Sequence, residues 1–225
     1  MTPFLPLLDV QDVTLSSQGR TRLLPVSLQI HRADSLVLTG PSGSGKSTLL
    51  KIMALLLNPT AGQIRFRGQD ITALNAEEYR QRVSYCFQTP QLFGNTVYEN
   101  LALPWQLRQQ KPQRDHLVTA LESVNLSPEM LNKPVEQLSG GEKQRVALLC
   151  HLQFVPDVLL LDEVTSALDE DNKRVVHALI NSFITSDQMA VVWVSHDVNE
   201  IQHATRLLRL APSEKENNVE SAQYY

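Results

Sequence analysis

A short apolar run, Ser35–Thr39, leads straight into Gly40-Pro41-Ser42-Gly43-Ser44-Gly45-Lys46-Ser47-Thr48, and apolar residues recur at helical spacing from Lys46 to Leu57. No other stretch restricts the possible folds of this chain as strongly. A strand that turns through glycines into a helix start is the setting that gives the pattern G-x-x-x-x-G-K-[ST] its meaning as a phosphate loop. The glycines let the backbone wrap tightly, so that its N–H groups converge on an anion. The helix beginning near Lys46 adds the positive end of its dipole. Lys46 is placed to reach β- and γ-phosphates, and the Ser47 hydroxyl to ligate Mg²⁺.

A second motif supplies the partner. The continuous apolar run Val158–Asp162, "VLLLD", reads as a buried parallel strand. It delivers Asp162 to the C-terminal edge of a sheet, where open α/β sheets bind ligands. Asp162 is expected to hold Mg²⁺, directly or through water. Glu163 is expected to face the attacking water as general base, a role typically worth about 10²–10⁴-fold.

The rest of the pattern alternates strands and helices. Strands are expected at Leu7–Leu15, Leu23–Ile30, Gln63–Gly68, Val83–Phe87 and Ala190–Ser195. Helices are expected near Ala76–Arg82 and over Asp171–Thr185. Residues 96–153 read as mostly helical, broken by Pro104, Pro112, Pro128 and Pro134. That order favours an α/β sheet with helices on its faces and a helical lobe inserted between sheet strands. With 42% hydrophobic residues the 225-residue chain can bury an ordinary core. A formal net charge of −4 argues against a nucleic-acid partner. Cys86 and Cys150 form no secreted-type disulfide framework. The longest apolar run, Ile52–Leu57, is far too short to span a membrane. The N-terminus has no basic flank and does not read as a secretion signal.

A third motif narrows the class. "LSGGE" (Leu138–Glu142) starts a stretch with good helical character, yet Gly140 and Gly141 have no helix-forming side chain. Together with "KQRVALL", "LLLDE", "SALD" (Ser166–Asp169), "VSHD" (Val194–Asp197) and "CFQTPQLF", it resembles the ABC-transporter ATPase family in order and spacing, nearly from end to end. The resemblance implies an α/β P-loop fold of the ABC ATPase type: a mixed sheet core, an antiparallel β-subdomain and an inserted helical lobe. As one ATPase domain over 1–225, the chain is expected to place its core and β-subdomain at 1–87 and 155–210, the lobe at 88–154 and a polar tail at 211–225.

Bare backbone at a helix N-terminus makes an anion site, and side chains on Gly140 and Gly141 would hold a γ-phosphate away. The helix over Glu142–Leu149 is expected to be amphipathic. In the family the signature, here Ser139, Gly140, Gly141 and Glu142, cannot close on its own phosphate loop. The resemblance therefore implies a head-to-tail homodimer with shared ATP sites. It further implies that Gln88 contacts Mg²⁺ or the attacking water, that His196 contacts the γ-phosphate and orients the water of Glu163, and that Asp169 communicates across the dimer. His31, His116, His151, His177 and His203 match no motif and are expected to be ordinary.

The family often stacks an aromatic residue on adenine between its first two strands. The matching stretch Ser16–Arg22 has none, which leaves Arg20 and Arg22 as candidates and predicts modest base selectivity. Only about 29 residues follow His196, so a large regulatory domain is not expected. Cofactors are ATP and Mg²⁺. The implied partner is a separate membrane permease, which places the chain at the cytoplasmic face of a bacterial inner membrane. "SYCFQTPQLFGNTVYENLALPWQLR" and "LQFVPDVLLLDEVTSALDEDNK" are similar to the FetA-type iron-export branch, whose permease is FetB-type. Another ABC exporter or a lipoprotein-release system would share every site residue. A ribosomal or DNA-repair ABC protein and a small-molecule kinase fit less well. The first would bring paired ATPase units or coiled coils, and the second has no use for "LSGGE".

Overall fold

Two sheets of opposite character follow from where the apolar residues fall. The computed structural model describes residues 5–197, 200–201 and 204–212. The first two strands, β1 (Leu8–Ser17) and β2 (Arg20–Ile30), form an antiparallel hairpin. Its turn, Gln18–Gly19, has positive φ at both residues, the twist a two-residue hairpin loop needs. Pro25 is tolerated because β2 is an edge strand. With β4 (Ala61–Phe66) and β5 (Gln69–Asp70) they make a four-stranded sheet in the order β2-β1-β4-β5.

The second sheet is parallel throughout: β6 (Val83–Cys86), β7 (Val158–Asp162), β8 (Ala190–Val194), β3 (Ser35–Thr39) and β9 (Arg206–Arg209), in that spatial order. Antiparallel strand pairing is confined to the other sheet. Every residue of β7 and β8 is buried, as their unbroken apolar runs require. Helix α1 (Lys46–Met53) packs between the two sheets, and its Leu49, Leu50, Ile52 and Met53 join one core cluster with both. It stops four residues short of the expected Leu57, because Leu55 has φ 55° and turns the chain away. Helix α2 (Ala76–Arg82), capped by Asn75, leads into β6. Helix α6 (Glu170–Asp187) is the crossover between β7 and β8. The short strands β5 and β9 carry no pattern visible in the sequence.

Between β6 and β7 lie α3 (Val97–Leu107), α4 (Arg114–Glu122) and α5 (Gly140–Leu152), around a separate core of Leu101, Leu117, Leu121, Leu131 and Val146. Two sequence expectations fail here. Pro104 does not break the helix; it sits inside α3. Proline supplies no N–H, which frees the carbonyl four residues back. That carbonyl, Asn100 O, accepts from the Cys150 thiol at 3.4 Å. Nor is α5 amphipathic: Gln144 through Leu149 are all buried. It contributes Val146 and Leu149 to the lobe core, and Leu148 and Leu152 to the core beneath the parallel sheet. With buried Gln144 and Arg145 among these apolar residues, the helix has no single apolar stripe.

The residues of the polar tail from 213 on, and His203, lie outside the described residues.

Gly62 shows how tightly the antiparallel sheet is specified. Its φ is +85°, and a Cβ there would meet Asp12 O at 2.4 Å, where β1 bulges. Gly19 has a similar φ of +74° and open space around it. Gly19→Ala should cost about 1–2 kcal/mol, the left-handed penalty alone. Gly62→Ala should cost at least about 2 kcal/mol more through backbone displacement. Denaturant melts of the two variants check the difference.

Candidate nucleotide-binding site

Every residue of the phosphate loop lies on the turn from β3 into α1. Gly40, Gly43 and Gly45 have φ of +146°, +78° and +90°. At Gly40 a Cβ would sit 2.6 Å from Leu210 O, and at Gly45 it would sit 2.7 Å from Arg22 O, so both positions demand glycine for space as well as for φ. Pro41, Ser42 and Gly43 form the exposed rim, while Ser44 is buried and its hydroxyl finds no hydrogen-bond partner among the described residues. No side chain caps α1, so the N–H groups of its first turn, including Lys46, Ser47 and Thr48, remain available to an anion. Lys46 Nζ donates to Gly40 O at 2.9 Å and Pro41 O at 3.1 Å, over the loop that would hold the phosphates. Burial pushes its ammonium below the usual lysine range, and the charges of Glu163 and Asp162 partly offset that.

Two neighbouring carboxylates are each held by two partners. Asp162, 3% exposed, accepts from Ser47 Oγ at 2.9 Å on Oδ1 and from the Tyr85 hydroxyl at 2.6 Å on Oδ2. A hydroxyl and a carboxylate side by side are hard oxygen donors that fit Mg²⁺. Glu163 accepts from Gln88 Nε2 at 2.8 Å on Oε2, and His196 Nε2 lies 3.3 Å from its Oε1. Glu163 has φ 51°, uncommon for a residue with a Cβ and a form of strain that concentrates at functional sites. The structure thus brings together Lys46, Ser47, Gln88, Asp162, Glu163 and His196.

The signature stands apart from this cluster. Ser139 caps α5, accepting from the Glu142 N–H at 3.2 Å, while the Glu142 carboxylate accepts from the Ser139 N–H at 2.7 Å, a closed capping box. That bond holds the Glu142 carboxyl below its usual range. Gly140 and Gly141 occupy the first two helical positions. A Cβ on Gly140 would meet nothing within 4 Å, and one on Gly141 would meet only Leu168, Ala167 and Arg145 at 3.4 Å or more. Neither glycine has positive φ. None of the described residues therefore requires either to be glycine. Asp169 is exposed and caps α6, its Oδ1 accepting from the Asn172 N–H at 2.8 Å.

Three groups escaped the sequence reading. Tyr85 was visible only as a strand residue, though a buried tyrosine hydroxyl always needs a partner. Glu200 accepts from Thr165 Oγ1 at 2.8 Å and pairs with His177 Nε2 at 2.7 Å, and the His177 ring stacks on Trp193 at 4.6 Å. Lys173 donates to Asp197 at 2.6 Å. These contacts brace the segment carrying His196 against α6.

Three residues beyond Gln88 in sequence, a groove of about 490 Å³ begins, running between Gln91, Phe93, Leu107, Arg108, His151 and Phe154. Phe93 and Leu107 are 79% and 70% exposed there. Buried Asn100 braces its wall, accepting from the Phe93 and Gly94 N–H groups at 2.7 and 3.0 Å.

Residues 23–166 match the family profile described as ABC transporter. The chain is 46% identical over 219 residues to "Probable iron export ATP-binding protein FetA" of Escherichia coli, covering 97% of this chain and 96% of that protein. It is 35% identical to lipoprotein-releasing system ATP-binding protein LolD 1 of Chlorobium chlorochromatii, covering 89% and 85%. Among solved structures it resembles MJ0796, a bacterial ABC transporter cassette in dimeric form, with a TM-score of 0.84 at 29% identity over 93% of this chain and 96% of that one. A post-hydrolysis form of the same cassette bound to ADP and Pi gives a TM-score of 0.83.

One groove residue sets a pH dependence. His151 is hydrogen-bonded to Ser84 at 2.8 Å, and burial pushes its imidazole down to about 4. The unfolded chain gains a proton on His151 near pH 6.5 that the folded chain refuses until about pH 4. Stability should therefore fall as pH drops through that window, by up to about 3 kcal/mol. Urea titrations at pH 7 and pH 4.5 should show the slope, and His151→Gln should flatten it.

Proposed function

We propose that this chain, which belongs to the ABC transporter family and is one of its ATPases, drives a separate permease that exports iron, working as one half of a head-to-tail dimer. The observation that carries the dimer is the pair Gly140 and Gly141 at a capped helix N-terminus, Gly140 facing open space and Gly141 with neighbours no nearer than 3.4 Å, so that none of the described residues requires either to be glycine. A second copy's phosphate loop is the complement such an end would meet.

In this reading the loop N–H groups and Lys46 bind the β- and γ-phosphates. Ser47 and Asp162 hold Mg²⁺, with Gln88 able to reach it. The ion supplies charge neutralisation on the transferring phosphoryl group. Glu163 takes the proton of the attacking water, and His196 orients that water and touches the γ-phosphate. Ser139, Gly140, Gly141 and the α5 dipole of the other copy close the far side, where oriented donors stabilise developing charge. Asp169 lies at the start of α6, placed to signal between copies.

The groove would take a helix of the permease. It carries exposed Phe93 and Leu107, and the segment holding Phe93 follows Gln88, which bonds to Glu163, so the groove would be coupled to the general base through that segment. Among the described residues no helix is long and apolar enough to cross a membrane. The chain would then sit at the cytoplasmic face of a bacterial inner membrane through its permease. The full-length similarity to FetA supports iron as cargo and a FetB-type permease as partner.

Glu163→Gln should keep ATP bound, slow hydrolysis at least about 10²-fold and elute as a dimer in saturating ATP. A monomer under those conditions would overturn the shared site. Ser139→Arg should bind ATP in the loop yet lose turnover. Deletion of the gene should sensitise cells to excess iron, and the tagged chain should co-purify with one multi-spanning permease. Defective lipoprotein release in place of iron sensitivity would favour the alternative cargo.

A further inference from the structure

We propose that Tyr85 positions the Asp162 carboxylate for the metal ion of the nucleotide complex. The proposal rests on the reading of Asp162 as the metal-facing carboxylate. Tyr85 lies on β6, one strand from Asp162, and is 6% exposed. Its hydroxyl donates to Asp162 Oδ2 at 2.6 Å. Ser47 Oγ holds the other oxygen, Oδ1, at 2.9 Å.

The two bonds are not equivalent. With a cation bound, the Ser47 oxygen would turn a lone pair to the metal while its O–H can still donate to Asp162, so the metal as well as the carboxylate would set its orientation. The Tyr85 hydroxyl has no such competing duty. A phenol keeps its proton at neutral pH, so the hydroxyl remains a donor. One oxygen of Asp162 therefore stays tied. The carboxylate keeps its orientation and offers Oδ1 to the side where Ser47 stands. Without that tie a buried carboxylate would rotate or lean on Lys46, whose charge is close enough to act on it.

The ring of Tyr85 adds a second link. It packs edge-on against Phe87 at 4.7 Å, and Phe87 directly precedes Gln88. The ring is thereby held in place as well as the hydroxyl.

The test uses the full-length chain with a non-hydrolysable ATP analogue. Mn²⁺ serves as the probe, its free fraction read by electron paramagnetic resonance. Metal-free nucleotide binding is read in chelator with a fluorescent ATP. Tyr85→Phe keeps the ring and removes only the hydroxyl. It should weaken Mn²⁺ capture about 10-fold, as expected for a lost hydrogen bond to a charged group, and leave metal-free nucleotide affinity within about two-fold of the parent. Tyr85→Met, which lacks both hydroxyl and ring, should show at least the same metal-specific loss. Unchanged Mn²⁺ affinity in Tyr85→Phe overturns the proposal, as does a loss confined to Tyr85→Met or an equal loss with and without metal, each of which marks packing alone. A parent chain whose nucleotide binding ignores Mn²⁺ overturns the reading of Asp162 itself, and this proposal with it.

Discussion

The buried carboxylate of Asp162 is the interaction on which the site depends. It ends a strand with no exposed residue, and a charge in that position is costly unless both oxygens are bonded. Ser47 satisfies one from the helix that follows the phosphate loop, 115 residues away in sequence, and Tyr85 satisfies the other from the neighbouring strand. Three elements are thereby fixed to one another at the mouth of the site. Glu163 follows in a strained left-handed conformation, and that turn is what lets its side chain meet Gln88 and His196.

The arrangement separates two kinds of rigidity. Asp162, Glu163 and the phosphate loop are carried by the parallel sheet, whose apolar strands pack with the α1 core. The signature belongs to α5, which is clamped between that sheet's core and the lobe's own core. Its N-terminus is held by a capping box. The groove carries Gln91 and Phe93 from the segment that follows Gln88.

Much of this was legible because the chemistry is local in sequence. The strand–loop–helix around Gly40–Thr48, the apolar strand ending at Asp162 and the glycines after Ser139 each carry their meaning within about ten residues. The errors came where local pattern is ambiguous. Pro104 ends a helix by propensity, yet the Cys150 thiol answers the carbonyl that proline leaves free. The α5 helix looked two-faced, yet two cores enclose it. Strands β5 and β9 owe their existence to neighbours rather than to their own residues.

The sequence by itself determined the phosphate loop, the carboxylate pair and the layered α/β class, since glycine placement, charge at a strand end and apolar periodicity are properties of short segments. Only the tertiary structure decided which groups hold those carboxylates. Tyr85, Gln88 and His196 reach Asp162 and Glu163 across strands that are distant along the chain, and strand order and register are set by packing of the whole sheet. It also decided that Gly140 faces open space while Gly141 packs beside Leu168 and Arg145, because a helix end has no direction until the cores beneath it are assembled.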